Sequence, residues 1–136
     1  MRYEVDGVVR DEVWTQTVRG TATWDDAPVA VRHHSAGVAF YRDLLSALKA
    51  EGIRTFVTLY HWDLPQALEE KGGWTNREIL SWFEEYVTVC VNEYKDKVKY
   101  WMVLNEPSVF TGAGYFLGVH APGRKGLNNF LPAMHH

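Results

Sequence analysis

Two motifs in the 136-residue sequence place polar side chains directly after apolar runs. In the first, Asn105, Glu106 and Pro107 follow the apolar residues 98–104. Apolar neighbours favour the neutral, proton-donating form of a carboxyl group, so Glu106 is the first candidate for acid–base chemistry. The amide of Asn105 can both donate and accept hydrogen bonds, which suits it to holding a substrate hydroxyl. From position alone, a solvated glutamate at a strand end is the competing interpretation of Glu106.

The second motif, residues 60–65, reads Tyr-His-Trp-Asp-Leu-Pro and ends another apolar run. His61 can donate or accept a hydrogen bond, and Trp62 offers a flat apolar surface. Such groups bind a sugar, because a sugar ring has polar edges and C–H faces. A structural histidine bonded to the backbone is the alternative interpretation of His61.

Helices and strands must position these motifs. Apolar residues at three- and four-residue spacing predict a helix over about residues 36–50, and a β-branched run predicts a buried strand over residues 53–60. The T-x-x-E sequence at residues 75–78 predicts a capping box, and the apolar stripe after it predicts a helix to about Tyr94. Residues 98–104 then predict a second strand.

The alternation of helix and strand predicts an α/β fold built from parallel βα units. Residues 61–74 and 107–129 follow the two strands as long connections, as expected where a (β/α)8 barrel places its chemistry. Neither strand is followed by a glycine-rich phosphate loop, which disfavours a doubly wound nucleotide-binding sheet. The two polar motifs are therefore expected to share one edge of a parallel sheet.

Composition excludes several other classes of protein. Fourteen basic residues against 17 acidic ones give a net charge of −3, which does not suit a nucleic-acid partner. The sequence opens without a secretory signal pattern and contains no apolar run of about 20 residues, so we expect a cytoplasmic chain without a membrane partner.

Metal and thiol chemistry are also disfavoured. Cys90 is the only cysteine and lies on the apolar stripe of the second predicted helix, where a core residue is the expected role. The six histidines lack the spacing of a metal site, and no H-x-x-x-H or paired C-x-x-C pattern occurs. The sequence implies no metal and no cofactor.

Several segments, in matching order and spacing, resemble glycoside hydrolase family 1, the β-glucosidase family. They are FVTLYHWDLPQAL at residues 56–68, Gly-Gly-Trp at 72–74, VLNEP at 103–107, GVHAPG at 118–123 and LPAMHH at 131–136. The resemblance covers about residues 37–136, which we interpret as a partial TIM-barrel domain, and leaves residues 1–36 as an unassigned N-terminal segment. It implies the third and fourth βα units of a (β/α)8 barrel, with Glu106 as the acid/base and His61, Trp62 and Asn105 as sugar-contacting residues.

The resemblance implies retaining hydrolysis of β-glucosides or related glycosides and oligosaccharides. The nucleophile of the family lies in a T-E-N-G-like segment on the seventh strand, and no E-N-G occurs in this sequence. A complete barrel needs about 250 residues. We therefore expect the chain to be inactive on its own. The alternatives are a non-catalytic sugar-binding remnant and a fragment that completes a barrel with another chain or self-associates through exposed strand edges.

Overall fold

The computed structural model describes residues 3–5, 8–10 and 35–136. Strands β1 (Tyr3–Val5) and β2 (Val8–Arg10) pair antiparallel, with Glu4 opposite Val9. Most of the segment that sequence analysis leaves unassigned, residues 1–36, lies outside the described residues.

The predicted helices and strands all occur. Helix α1 is Ser35–Ala50, and Gly52, in the left-handed conformation at φ 70°, follows its end as the sequence predicts. Both strands are shorter at their start than the apolar runs suggest. The elements that follow α1 are β3 (Phe56–Tyr60), α2 (Gln66–Glu69), a 3₁₀ turn (Gly73–Thr75), α3 (Ile79–Tyr94), β4 (Tyr100–Leu104), α4 (Pro107–Thr111), a π-helical turn (Gly112–Leu117) and α5 (Leu127–His135).

Strands β3 and β4 pair in parallel, with α3 in the connection between them. In the register, Phe56 faces Tyr100, Thr58 faces Met102 and Tyr60 faces Leu104. This pairing confirms the predicted parallel βα organisation. Within the described residues the sheet contains these two strands, so the structure shows a small α/β unit rather than a closed barrel.

One hydrophobic core lies between the sheet and the two long helices. It contains Val38, Leu45, Leu59, Cys90, Tyr94 and Val98. The Tyr94 hydroxyl donates to the Val38 carbonyl at 3.3 Å, which joins α3 to the start of α1. Cys90 is buried there, as its place on the apolar stripe predicts, and burial raises the pKa of its thiol.

A second core lies beneath the connections that follow the strands. Its buried members are Tyr60, Trp74, Ile79, Trp82, Phe110, Tyr115 and Ala133. The rings of Tyr60, Trp74 and Phe110 contact one another at centroid distances of 5.1 to 5.5 Å. This aromatic cluster supports the edge of the sheet at which β3 and β4 end.

The predicted capping box is wrong. Helix α3 begins at Ile79, and Thr75 belongs to the preceding 3₁₀ turn. The Thr75 hydroxyl donates to the Gly72 carbonyl at 2.6 Å, while the Asn76 side chain accepts the Glu78 backbone N–H at 3.0 Å. The Asn76 side chain therefore forms a turn just ahead of α3, and the helix itself has no side-chain cap at its first residues.

The connections predicted as loops contain short helices. Residues 61–74 include α2, and residues 107–129 include α4, the π-helical turn and the start of α5. These short helices are stabilised mainly by packing against the second core, because helices of one or two turns are only marginally stable in isolation. No helix within the described residues combines the length and apolarity needed to cross a membrane.

Candidate active site

The predicted site residues meet at the edge where β3 and β4 end. His61 and Trp62 follow β3, and Asn105 and Glu106 follow β4. The Asn105 backbone N–H donates to the Tyr60 carbonyl at 2.9 Å, and the Trp62 indole N–H donates to the Asn105 carbonyl at 2.8 Å. The structure thus brings together the four residues that the sequence places on one edge, which we call the rim.

Two rim residues have an unusual backbone conformation. Trp62 has φ 75° and Glu106 has φ 44°, and both values lie in the left-handed region that residues with large side chains rarely adopt. Such a conformation costs about 1–3 kcal/mol and persists only where the surroundings enforce it, most often at functional sites. Pro107 contributes at Glu106, because proline disfavours the right-handed helical conformation of the preceding residue.

Glu106 forms the start of helix α4. Its carbonyl accepts the backbone N–H groups of Val109 at 2.9 Å and Phe110 at 3.2 Å, and Pro107 occupies the first turn. The side chain of Glu106 is exposed. The described residues therefore do not surround this carboxyl group with the apolar side chains that the sequence predicted. The reason is that β4 is the edge strand of the described sheet, and no strand of that sheet covers its side away from β3.

A fifth residue, His120, contacts the rim from the connection after β4. Its ring centroid lies 5.5 Å from that of Trp62, and the ring of His61 lies 5.5 Å from the same indole. The backbone N–H of His120 donates to the Ala113 carbonyl at 3.2 Å. Sequence reasoning did not place His120 at the site, although it lies in the segment 118–123 that carries part of the family resemblance.

Asp63 lies directly beyond the rim and was also missed. Its Oδ1 atom is buried and has no hydrogen-bond partner among the described residues. Burial raises the pKa of the Asp63 carboxyl group to about 6, against the opposing effect of backbone N–H groups at Asp63 and His61. The half-buried position of Asp63 depends on tertiary packing, so no local sequence signal indicates it.

A partly buried ion pair joins the two connections behind the rim. The Arg124 Nε donates to Glu69 Oε1 at 2.5 Å, and the Tyr115 hydroxyl donates to Glu69 Oε2 at 2.8 Å. Arg124 also donates to the Glu69 carbonyl at 3.0 Å and to the Thr75 hydroxyl at 3.3 Å. Burial and the hydrogen bond to Glu69 raise the pKa of Tyr115. Glu69 thereby holds the connection after β3 against the connection after β4.

Gly73 is required by this arrangement. A Cβ atom on Gly73 would lie 2.0 Å from Glu69 Oε2, and its φ of 51° lies in the region that favours glycine. Within the ranges that the structure describes, no three histidine, cysteine, aspartate or glutamate side chains converge as metal ligands. The chemistry available at the rim is therefore that of a carboxyl group, an amide, imidazole rings and an indole.

Comparison with known proteins identifies the family. The sequence pattern of glycosyl hydrolase family 1 matches residues 14–136, which begins ahead of the residue-37 boundary of the motif resemblance. The chain belongs to glycosyl hydrolase family 1, and its relatives described below are β-glucosidases.

Two bacterial β-glucosidases and one from a plant illustrate the similarity. The chain is 47% identical to β-glucosidase A of Thermotoga maritima over 104 residues, which covers 76% of this chain and 23% of that enzyme. It is 40% identical to β-glucosidase A of Acetivibrio thermocellus, covering 98% of this chain and 30% of the relative. It is 48% identical to the non-cyanogenic β-glucosidase of Trifolium repens, covering 68% of this chain and 19% of the relative. The chain thus spans less than a third of each.

Solved structures agree with these comparisons. The family 1 β-glucosidase of Thermotoga maritima superposes with a TM-score of 0.75 at 47% identity, over 76% of this chain and 24% of that enzyme. Structures of the Thermotoga maritima enzyme contain deoxynojirimycin and castanospermine.

Proposed function

We propose that the chain carries the acid/base half of a retaining β-glycosidase site that acts on β-glucosides or related glycosides, with Glu106 as the general acid/base. The observation that carries this proposal is the rim: Glu106 directly follows Asn105 after β4, and the Asn105 backbone is hydrogen-bonded to Tyr60 at the end of β3 and to the Trp62 indole beyond it. Membership of a family whose compared relatives are β-glucosidases supports it.

The proposed reaction has two steps. A carboxylate attacks the anomeric carbon, the glycosidic C–O bond breaks, and Glu106 gives its proton to the leaving oxygen. Glu106, now a carboxylate, then takes a proton from water as the water oxygen attacks the same carbon, which releases the sugar and the nucleophilic carboxylate. The configuration at the anomeric carbon is retained because it is inverted twice.

The neighbouring rim side chains bind the sugar in this proposal. His61 and Asn105 form hydrogen bonds with sugar hydroxyls, and Trp62 packs its ring against the C–H face. His61 and Glu106 are exposed at the rim, so a ligand can reach both. The ligand class is a small β-glycoside or oligosaccharide, and the proposal requires no cofactor.

The proposal places the nucleophile outside these 136 residues. β3 and β4 are then the third and fourth strands of a (β/α)8 barrel, and the remaining strands complete the pocket. Because removing one member of a cooperating catalytic group removes most of the rate enhancement, the 136-residue chain by itself does not turn over substrate.

Two assays test this proposal. The isolated chain is incubated with 4-nitrophenyl β-D-glucoside, and no release of nitrophenol above the buffer rate is expected. In the second assay, the matched part of this chain replaces the aligned 104-residue segment of Thermotoga maritima β-glucosidase A. This hybrid is expected to hydrolyse the substrate and to release the β anomer of glucose first, as followed by proton NMR.

A pair of substitutions in the hybrid tests the role of Glu106. Glu106→Gln is expected to lower kcat by about 100-fold or more, since general acid–base groups contribute about 10²- to 10⁴-fold. Glu84→Gln, on the far surface of α3, is the matched control and should leave the rate unchanged. Turnover by the isolated chain would contradict the need for a second carboxylate, and an active Glu106→Gln hybrid would contradict the assignment of Glu106.

We also propose that the 136-residue chain, when isolated, self-associates through the exposed strand edges together with the adjoining face of the sheet that carries Phe56 and Met102. Their register puts them on the same side of the sheet, where Phe56 is 59% and Met102 is 47% exposed. Apolar surface of this kind promotes association in water. Because the described residues leave Phe56 and Met102 exposed, we propose a second copy of the chain as the partner that covers this face.

Sedimentation of the isolated chain at rising concentration tests self-association. We expect a shift toward a dimer or larger species that Met102→Glu weakens. Leu80→Glu is the matched control, since Leu80 is a comparably exposed apolar residue on α3. A monomer at every concentration, or equal weakening by both substitutions, would contradict the proposal.

A further inference from the structure

We propose that Trp62 is a positioning residue for Glu106: its indole N–H holds the peptide unit that joins Asn105 to Glu106 and so sets the direction in which the Glu106 side chain leaves the backbone. The functional meaning of this inference rests on the proposed role of Glu106, but the coupling itself does not. The juxtaposition that carries it is the 2.8 Å hydrogen bond from Trp62 Nε1 to the Asn105 carbonyl oxygen.

The peptide units on both sides of Glu106 are held. The unit before it contains the Asn105 carbonyl, which accepts the Trp62 indole N–H. The unit after it contains the Glu106 carbonyl, which accepts the Val109 and Phe110 backbone N–H groups. Because φ and ψ describe rotation between these two units at the Glu106 Cα, fixing both units fixes the residue at φ 44° and ψ 63°.

The indole is itself held on several sides. Its ring contacts the rings of His61 and His120, with centroids 5.5 Å away in each case, and it packs against the second core. The backbone of Trp62 is left-handed at φ 75°. The hydrogen bond from Trp62 to the Asn105 carbonyl therefore links the two rim residues with left-handed backbone, Trp62 and Glu106.

The same bond limits what Trp62 can offer a sugar. An indole has one N–H and no acceptor, and here the N–H is used within the chain. Trp62 therefore contributes only ring surface to a bound sugar, while its polar atom orients the backbone that carries the acid/base candidate.

A double-mutant cycle in the isolated chain tests the coupling. Glu106→Gly should raise the folding equilibrium constant by about fivefold, because glycine adopts the left-handed conformation without strain. In the Trp62→Phe background, the peptide unit before Glu106 is released and Glu106 can relax, so the gain from Glu106→Gly should largely vanish. Trp82→Phe, which alters a tryptophan of the second core, should leave that gain intact. Urea denaturation measures six proteins: the parent chain, Trp62→Phe and Trp82→Phe, each with and without Glu106→Gly.

A spectroscopic readout separates positioning from a general loss of packing. The Cα and Cβ chemical shifts of Glu106 distinguish left-handed from right-handed backbone, and we expect Trp62→Phe to move them while Trp82→Phe does not. In the parent chain, the Trp62 indole N–H should exchange slowly with deuterated solvent. The exchange measurement requires no variant, so it tests the Trp62 hydrogen bond even if Trp62→Phe does not fold.

The proposal is overturned if the cycle shows no coupling and the Glu106 shifts stay unchanged in Trp62→Phe, or if the parent Trp62 indole N–H exchanges as fast as an exposed one. None of these readouts involves turnover. A chain whose Glu106 proves non-catalytic can still show the coupling, and a hybrid that depends on Glu106 for activity can still lack it, so the two proposals fail separately.

Discussion

Glu69 and Arg124 are 55 positions apart in the sequence and form an ion pair in which Arg124 Nε lies 2.5 Å from Glu69 Oε1. The pair joins the end of α2 to the segment between the π-helical turn and α5. Because the two connections that contain these segments also carry Trp74, Phe110 and Tyr115 of the second core, the pair stabilises the edge at which the candidate site is built.

Arg124→Ala is expected to lower the free energy of unfolding by about 2–3 kcal/mol, because it leaves the largely buried Glu69 carboxylate without its charged partner. Urea denaturation followed by circular dichroism measures the change. Lys125→Ala, at the exposed neighbouring position, is the control and should cost less than about 0.5 kcal/mol. Equal effects of the two substitutions would show that the ion pair does not stabilise the fold.

Gly73→Ala is expected to destabilise the chain by at least about 1 kcal/mol more than Gly52→Ala. Both glycines have positive φ, so both substitutions introduce left-handed strain. Only at Gly73 does the new Cβ meet another group, the Glu69 carboxylate at 2.0 Å, whereas nothing lies within 4 Å at Gly52. The same denaturation experiment compares them. If Gly52→Ala costs as much, the contact with Glu69 is not the cause.

Stability should fall as pH rises through the titration of Asp63. Burial raises its pKa from 3.8 to about 6 in the folded chain, so between about pH 4 and 6 the folded state binds more protons than the unfolded state. The stabilising contribution is fully present below pH 4 and is lost by about pH 6. Asp63→Asn should therefore reduce the difference between the unfolding free energies measured at pH 4 and at pH 7. An unchanged pH dependence in Asp63→Asn would contradict the burial of this carboxyl group.

Cys90 should react with thiol reagents at least about tenfold more slowly in the folded chain than in urea. Its thiol is buried in the first core and burial raises its pKa, so both access and thiolate formation are reduced. Absorbance at pH 8 with a chromogenic disulfide reagent measures the rate, and free cysteine in each buffer is the reference. Comparable rates with and without urea would place the Cys90 thiol outside the core.

Sequence alone determined the elements whose signals are local. The apolar spacing of α1, the stripe of α3 and the apolar runs of β3 and β4 follow from helix and strand periodicity, which depends on residues only a few positions apart. The shared edge of His61, Trp62, Asn105 and Glu106 was also predictable, because parallel strands bring their carboxyl ends together whatever the remaining fold.

Tertiary structure decided the features that depend on residues far apart. Asn76 rather than Thr75 accepts a backbone N–H at the entry to α3, because Thr75 hydrogen-bonds within its own turn and to Arg124. The exposure of Glu106 depends on which strands flank β4, and the raised pKa of Asp63 depends on what buries it. Hydrogen bonds and desolvation act over a few ångströms in space, so residues distant in sequence set them and no local pattern records them.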